Sequence, residues 1–137
     1  MSQYMLLVYE EVVDQAGQAE RDKALPMMLE LHRSLREAGL LVGVKALRST
    51  ESATSVRVRG GEAEITDGPF AVTKEGLAGY YMLECADLDE ALRWAARLPQ
   101  TRWATVEVRP VVPADEWLNT ARRTGVDMTD EDVRDLA

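Results

Sequence analysis

Along this chain the spacing of apolar residues switches from strand-like to helix-like and back, twice, and that order admits few folds. Tyr4 to Tyr9, YMLLVY, is a short unbroken apolar run rich in strand formers, which predicts a central strand covered on both faces. Residues 10–18 read as a loop. From Ala19 to Ala38 the period lengthens. Leu25, Met28, Leu31, Leu35 and Ala38 recur at three- and four-residue steps, the stripe of an amphipathic helix, and Gly39 stands at its natural stop. Leu40 to Leu47 returns to an extended pattern, and Leu77 to Ala86 reads as a further strand. Asp87 with Glu90 three residues on marks the start of a second helix, with Leu88, Ala91, Leu92, Ala95 and Leu98 as its apolar face and Pro99 as its end. Thr105 to Val112 alternates valines with charged residues, as a half-exposed strand does.

A hairpin interrupts the two halves. In TSVRVRGGEAEIT, Gly60 and Gly61 can supply the positive φ values of a two-residue turn. Counting outward pairs Arg59 with Glu62, Val58 with Ala63, Arg57 with Glu64 and Val56 with Ile65. One face then carries opposite charges and the other is apolar. The resulting order is β-α-β, a hairpin insertion, and β-α-β, which describes a ferredoxin-like α+β sandwich with both helices on one face of the sheet. The other face must then be buried elsewhere, and a second copy of the chain is the expected cover.

Composition narrows the function classes. With 137 residues, 46% hydrophobic and 29% charged, the chain suits one globular domain, expected over residues 1–112, with an acidic extension over 113–137. The net charge is −8, and from Pro113 onward there are seven acidic and three basic side chains. Neither part offers a basic face, so nucleic acid is not an expected partner. No leader or run long enough to span a bilayer is read at the amino terminus, so no membrane partner is expected. The single cysteine, Cys85, falls in an apolar strand and reads as an inert thiol, which fits a reducing, cytoplasmic setting. In the extension, Asp115 to Arg123 predicts a short helix ended by Gly125, and Thr129 with Asp132 predicts a further capped turn. A lightly docked tail and an arm reaching a partner subunit are both open.

Several stretches together resemble the YCII-related family, in particular its DGPF subgroup. They are the opening YMLLVYE, the junction REAGLLVG, the run TDGPFAVTKEGLAGYYMLECADLDEALRWAARLP and the closing VEVRPV. The resemblance spans nearly all of residues 3 to 112 and implies a dimeric α/β barrel. Members of the DGPF subgroup are often encoded beside extracytoplasmic-function sigma factors, which makes association with such a factor one implied partnership. The wider family includes a dehydrochlorinase of a chlorinated hydroxyquinol, and resemblance to it implies a histidine–aspartate pair as the active centre.

In this chain that pair is His32, the only histidine, and Asp67. His32 lies at the edge of the first helix's apolar stripe. It reads either as a half-buried imidazole with a hydrogen-bond partner or as a general acid or base. Asp67 reads either as a turn-forming carboxylate before Gly68-Pro69 or as the group that orients His32. Phe70, the only phenylalanine, is expected to anchor the stiff Asp-Gly-Pro bend in the core. The expected site is a small apolar cavity between the first helix and the sheet, lined by Tyr9, Met28, Pro69, Phe70 and Tyr80. One histidine and one cysteine do not make an ordinary zinc site, and no P-loop, dinucleotide fingerprint or nucleophile elbow is present. No metal and no cofactor is therefore expected. The leading reading is cofactor-independent lyase or isomerase chemistry on a small cyclic or phenolic compound. The alternative is a non-catalytic ligand-binding or interaction module linked to sigma-factor control.

Overall fold

The computed structural model of the chain describes residues 1–137. Strand β1 (Ser2–Glu10) leads to helices α1 (Gln15–Asp22) and α2 (Leu25–Glu37), then to β2 (Leu41–Ala46). A hairpin of β3 (Thr54–Arg59) and β4 (Glu62–Asp67) follows, then β5 (Gly76–Cys85), α3 (Leu88–Ala96) and β6 (Thr105–Pro110). Helices α4 (Ala114–Thr124) and α5 (Asp130–Leu136) close the chain. The main sheet has the order β2-β5-β1-β6 with every neighbour antiparallel. This is the ferredoxin-like α+β arrangement. The sheet is open in the single chain, with β2 and β6 at its edges.

One face of the sheet carries the core. Tyr4, Leu6 and Val8 of β1 stand opposite Leu83, Tyr81 and Gly79 of β5, and all are buried. Leu31 and Leu35 of α2 and Ala91 and Ala95 of α3 press onto this row, with Leu98 completing the cluster. On α3, Leu88 and Leu92 are 44% and 46% exposed, so the buried stripe is narrower than the spacing predicts. Alanines face the sheet there, and the leucines flank them. Asp87 caps this helix by accepting from the Glu90 amide at 2.9 Å, while Glu90 accepts from the Ala86 amide at 3.1 Å.

The stretch expected as a loop followed by one long helix is instead two helices. Asp14 caps α1 by accepting from the Gly17 amide, so helix begins within the predicted loop. Pro26 then stands in the first turn of α2. A proline deep inside a helix would lack its amide donor and clash with the preceding turn, whereas in the first turn that donor is not needed. The chain therefore stops at Asp22 and restarts at Leu25, and α1 swings toward the end of β1.

The hairpin has the expected register, from Val56–Ile65 to Arg59–Glu62, around Gly60 and Gly61 at φ 58° and 82°. Both positive values are those of a type I′ turn. Arg59 pairs diagonally with Glu64 at 3.6 Å in solvent. The hairpin forms its own two-stranded sheet apart from the main one. Phe70 follows it out and is 85% exposed, which corrects the expectation that it anchors the bend in the core. Ser55 Oγ donating to the Gly68 carbonyl at 2.8 Å and the Gly68 amide donating to Ala53 at 2.8 Å hold the bend instead. In the extension, Thr129 and Asp132 form a capping box. Gln3 Nε2 donates to the Ala137 carbonyl at 3.0 Å and so ties the end of α5 to β1.

Candidate functional site

A cavity of about 310 Å³ lies between α1, α2 and the β5–β2 side of the sheet. Val8, Leu25, Met28, Val44, Ala46 and Trp103 give it apolar walls, and His32, Tyr81 and Gln100 bring polar atoms to it. Strand alternation explains part of this. Tyr81 faces the helices and is 3% exposed, while its neighbour Tyr80 belongs to the opposite row and only borders the cavity.

The three polar side chains form one chain of hydrogen bonds. His32 Nε2 lies 2.8 Å from the Tyr81 hydroxyl, and Gln100 Nε2 donates to that same oxygen at 2.8 Å. The His32 and Tyr81 rings meet edge to face, with centroids 5.2 Å apart. Burial, and next to it the Arg36 guanidinium one turn along α2, lower the His32 pKa below its ordinary 6.5. Burial raises the Tyr81 pKa above its ordinary 10.0, partly offset by the Gln100 hydrogen bond. At neutral pH the pair is thus an uncharged imidazole beside an intact phenol.

A second cluster closes the end of the cavity. Trp103 Nε1 donates to Glu10 Oε2 at 2.8 Å, and Arg21 Nη1 lies 3.5 Å from Glu10 Oε1 while donating to the Glu11 carbonyl at 2.9 Å. The Arg21 guanidinium also sits over the Trp103 ring, 5.8 Å from its centroid. The break before Pro26 is what turns Arg21 to this place. A smaller hollow of about 170 Å³ adjoins the cavity, sharing Glu10, Gln18, Arg21 and Ala78.

The residues expected at the site are scattered. His32 and Met28 line the cavity, and Tyr80 borders it. Asp67 ends β4 on the separate hairpin, is exposed, and does not line the cavity within one chain; the hydrogen-bond partner of His32 is Tyr81. Pro69 and Phe70 flank a depression on the hairpin, and Tyr9 lines another beside Thr73 and Lys74. Hairpin and bend leave the main sheet together, which separates them from α2. No three His, Cys, Asp or Glu side chains gather as metal ligands. Cys85 is buried, and burial together with Glu90 and Asp87 pushes its thiol up to about 11. It is the unreactive protonated form at neutral pH. Tyr81, Gln100, Glu10, Arg21 and Trp103 had no signal as site residues beyond their polarity. Only the opposite facing of Tyr80 and Tyr81 was available to pick out Tyr81.

Comparison with known proteins supplies the lineage. An uncharacterized protein of Rhizobium meliloti (strain 1021) is 41% identical over 112 residues, which cover 79% of this chain and 90% of the relative. The family model of the YCII-related domain matches residues 2–115, from the start of β1 into the first turn of α4. The chain belongs to the YCII-related family.

Proposed function

We propose that the cavity binds a small cyclic or phenolic compound and that His32 and Tyr81 together move a proton on it without a cofactor. The observation that carries this reading is the 2.8 Å bond between His32 Nε2 and the Tyr81 hydroxyl at the wall of a cavity whose other sides include Val8, Leu25, Met28 and Val44. An uncharged imidazole is a competent base and an intact phenol a competent acid. The step balances as follows. A ligand X–H gives its proton to the Tyr81 oxygen, the phenol's own proton passes to His32 Nε2, and the electron pair stays on X. The cavity volume suits a single ring with few substituents. Asp67 has no part in this step within one subunit.

The test uses a panel of phenols and hydroxylated ring acids, first for stabilisation of the protein against heat. Those that bind are then followed in D₂O for exchange of ligand C–H by NMR. Exchange by the wild type, reduced about 100-fold or more in His32→Ala, is the expected result. Binding with no exchange under any condition would leave a ligand-binding module and remove the catalytic reading.

We further propose that the open face of the sheet packs on a second copy. Met5 stands opposite Met82 and Leu7 opposite Tyr80 in the row that faces away from the helices. Gln3, Glu84, Glu107 and Arg109 border this apolar centre. Stacking two such faces gives the dimeric α/β barrel. The wild type should elute with twice its 15.3 kDa by light scattering, and Leu7→Glu should elute as one chain. Equal masses for the two proteins would refute this face as the interface.

A further inference from the structure

The chain of hydrogen bonds through Tyr81 leaves one buried atom without a partner, Gln100 Oε1. Its amide nitrogen has only protons to offer, so it donates to the Tyr81 oxygen. The phenol has one proton, and the remaining neighbour within reach is His32 Nε2 at 2.8 Å. With the phenol proton turned to it that nitrogen is bare, and we infer that neutral His32 is the Nδ1–H tautomer. The arrangement suits a neutral imidazole only. Once Nε2 carries a proton it becomes a donor, the Tyr81 oxygen must accept from it, and the phenol proton needs another acceptor. Gln100 turned half a revolution about its last bond supplies one, and the atom that would take the proton is the unpartnered Oε1.

We propose that Gln100 is a positioning residue whose carboxamide turns over in step with the protonation of His32. The Tyr81 hydroxyl is thereby satisfied in both charge states of the pair. In the neutral state hydrogen bonds run from Gln100 through Tyr81 to His32. In the protonated state they run the opposite way, and the unpartnered group becomes the amide nitrogen. A buried pair that loses a hydrogen bond on taking up a proton resists doing so, and a reversible amide removes that resistance. The inference rests on the reading of His32 and Tyr81 as a proton-moving pair. The ionisable groups that line the cavity on the His32 side are Glu10 from β1, Arg21 and Asp22 from α1 and Tyr81 from β5, with Arg36 on its own helix, while Lys45 and Tyr80 border it from the opposite row of the sheet. None of them is altered by changing Gln100.

His32 is the only histidine, so in ¹⁵N-labelled protein its two ring nitrogens are read by NMR without ambiguity. Above its pKa the wild type should show a protonated Nδ1 and a bare Nε2. Gln100→Glu offers an acceptor in place of the donor and should switch the neutral form to Nε2–H while moving the His32 pKa upward. Gln100→Leu offers neither and should keep Nδ1–H while moving the pKa downward. Any carboxylate near His32 would raise its pKa, so the switch of tautomer in Gln100→Glu, and not the pKa shift, is what a side chain that merely fills space would not produce. A neutral wild type with Nε2 protonated, or a Gln100→Glu protein that keeps the wild-type tautomer, overturns the proposal. Turnover is not read in this experiment, so failure of the catalytic reading would leave its outcome distinct.

Discussion

Tyr81→Phe is expected to melt at lower urea concentration than the wild type by about 1–3 kcal/mol and to lose proton transfer on any bound substrate by about 10²–10⁴-fold. The ring would stay. Its edge-to-face packing on His32 and its place opposite Leu6 need only carbon atoms. What disappears is the one oxygen that both His32 Nε2 and Gln100 Nε2 approach at 2.8 Å. Gln100 Oε1 is buried and already lacks a partner, so the substitution leaves both ends of the half-buried amide unpaired within the protein. The desolvation of that amide, rather than the net worth of two hydrogen bonds, sets the stability loss. Two measurements separate the roles. If ligand affinity changes less than tenfold while exchange of ligand protons stops, the hydroxyl acts in the chemistry. If exchange continues at the wild-type rate, His32 works without Tyr81 and the relay is refuted.

The fold was readable because each of its elements carries its own local signal. The hairpin register followed from two glycines and a count of residues, since a type I′ turn needs positive φ at both central positions and the pairs then follow outward. The start of α3 followed from Asp87 and Glu90 in the same way. What escaped was set by side-chain size and by proline. Apolar spacing gives the direction of a helix's stripe but not which edge of it touches the sheet. On α3 the small Ala91 and Ala95 allow the helix to approach closely, and that leaves Leu88 and Leu92 outside. The break between α1 and α2 had a visible cause in Pro26, but every residue of the apolar stripe, from Leu25 on, lies on the α2 side of it, so the spacing carried no sign of α1 as a separate helix.

The site was legible only as far as single elements reach. Helical spacing placed His32 at the edge facing the sheet. Alternation puts Tyr80 and Tyr81 on opposite faces without saying which face meets the helices, and the expected lining residue, Tyr80, was the neighbour of the one that bonds His32. Joining His32 to Tyr81 spans 49 residues, and joining Gln100 to Tyr81 depends on the 3-10 turn Pro99–Arg102, whose geometry has no pattern in the sequence. Asp67 was attractive because it precedes a stiff bend. Stiffness fixes the local shape of the bend and says nothing of where the hairpin carries it. The main sheet, held by core residues such as Leu6 and Leu83, and the hairpin, held mainly by its own pairs, are separate sheets.

The same sheet predicts a second large effect, at Gly79. A Cβ there would lie 2.6 Å from the Lys45 carbonyl oxygen and 3.3 Å from Ala46 Cα. The obstructing oxygen belongs to the backbone of β2 and cannot swing aside as a side chain would. Its φ is not in the left-handed region, so the conflict is one of space alone. Gly79→Ala must therefore push β2 from β5 where Leu47 donates to the Ala78 carbonyl at 2.7 Å. Overpacking of this kind costs about 3 kcal/mol, at the upper end of the usual range. For a domain of this size that lowers Tm by on the order of 10 °C. Because Lys45, Ala46, Ala78 and Gly79 all line the cavity, the parted strands should also weaken ligand binding. Gly43→Ala is the control: it lies on the same strand pair, and a Cβ there meets nothing within 4 Å. Its melting should stay within about 0.5 kcal/mol of the wild type. A Gly79→Ala protein that melts with the control would mean that β2 yields without cost, and the cavity wall it forms could not then be a rigid one.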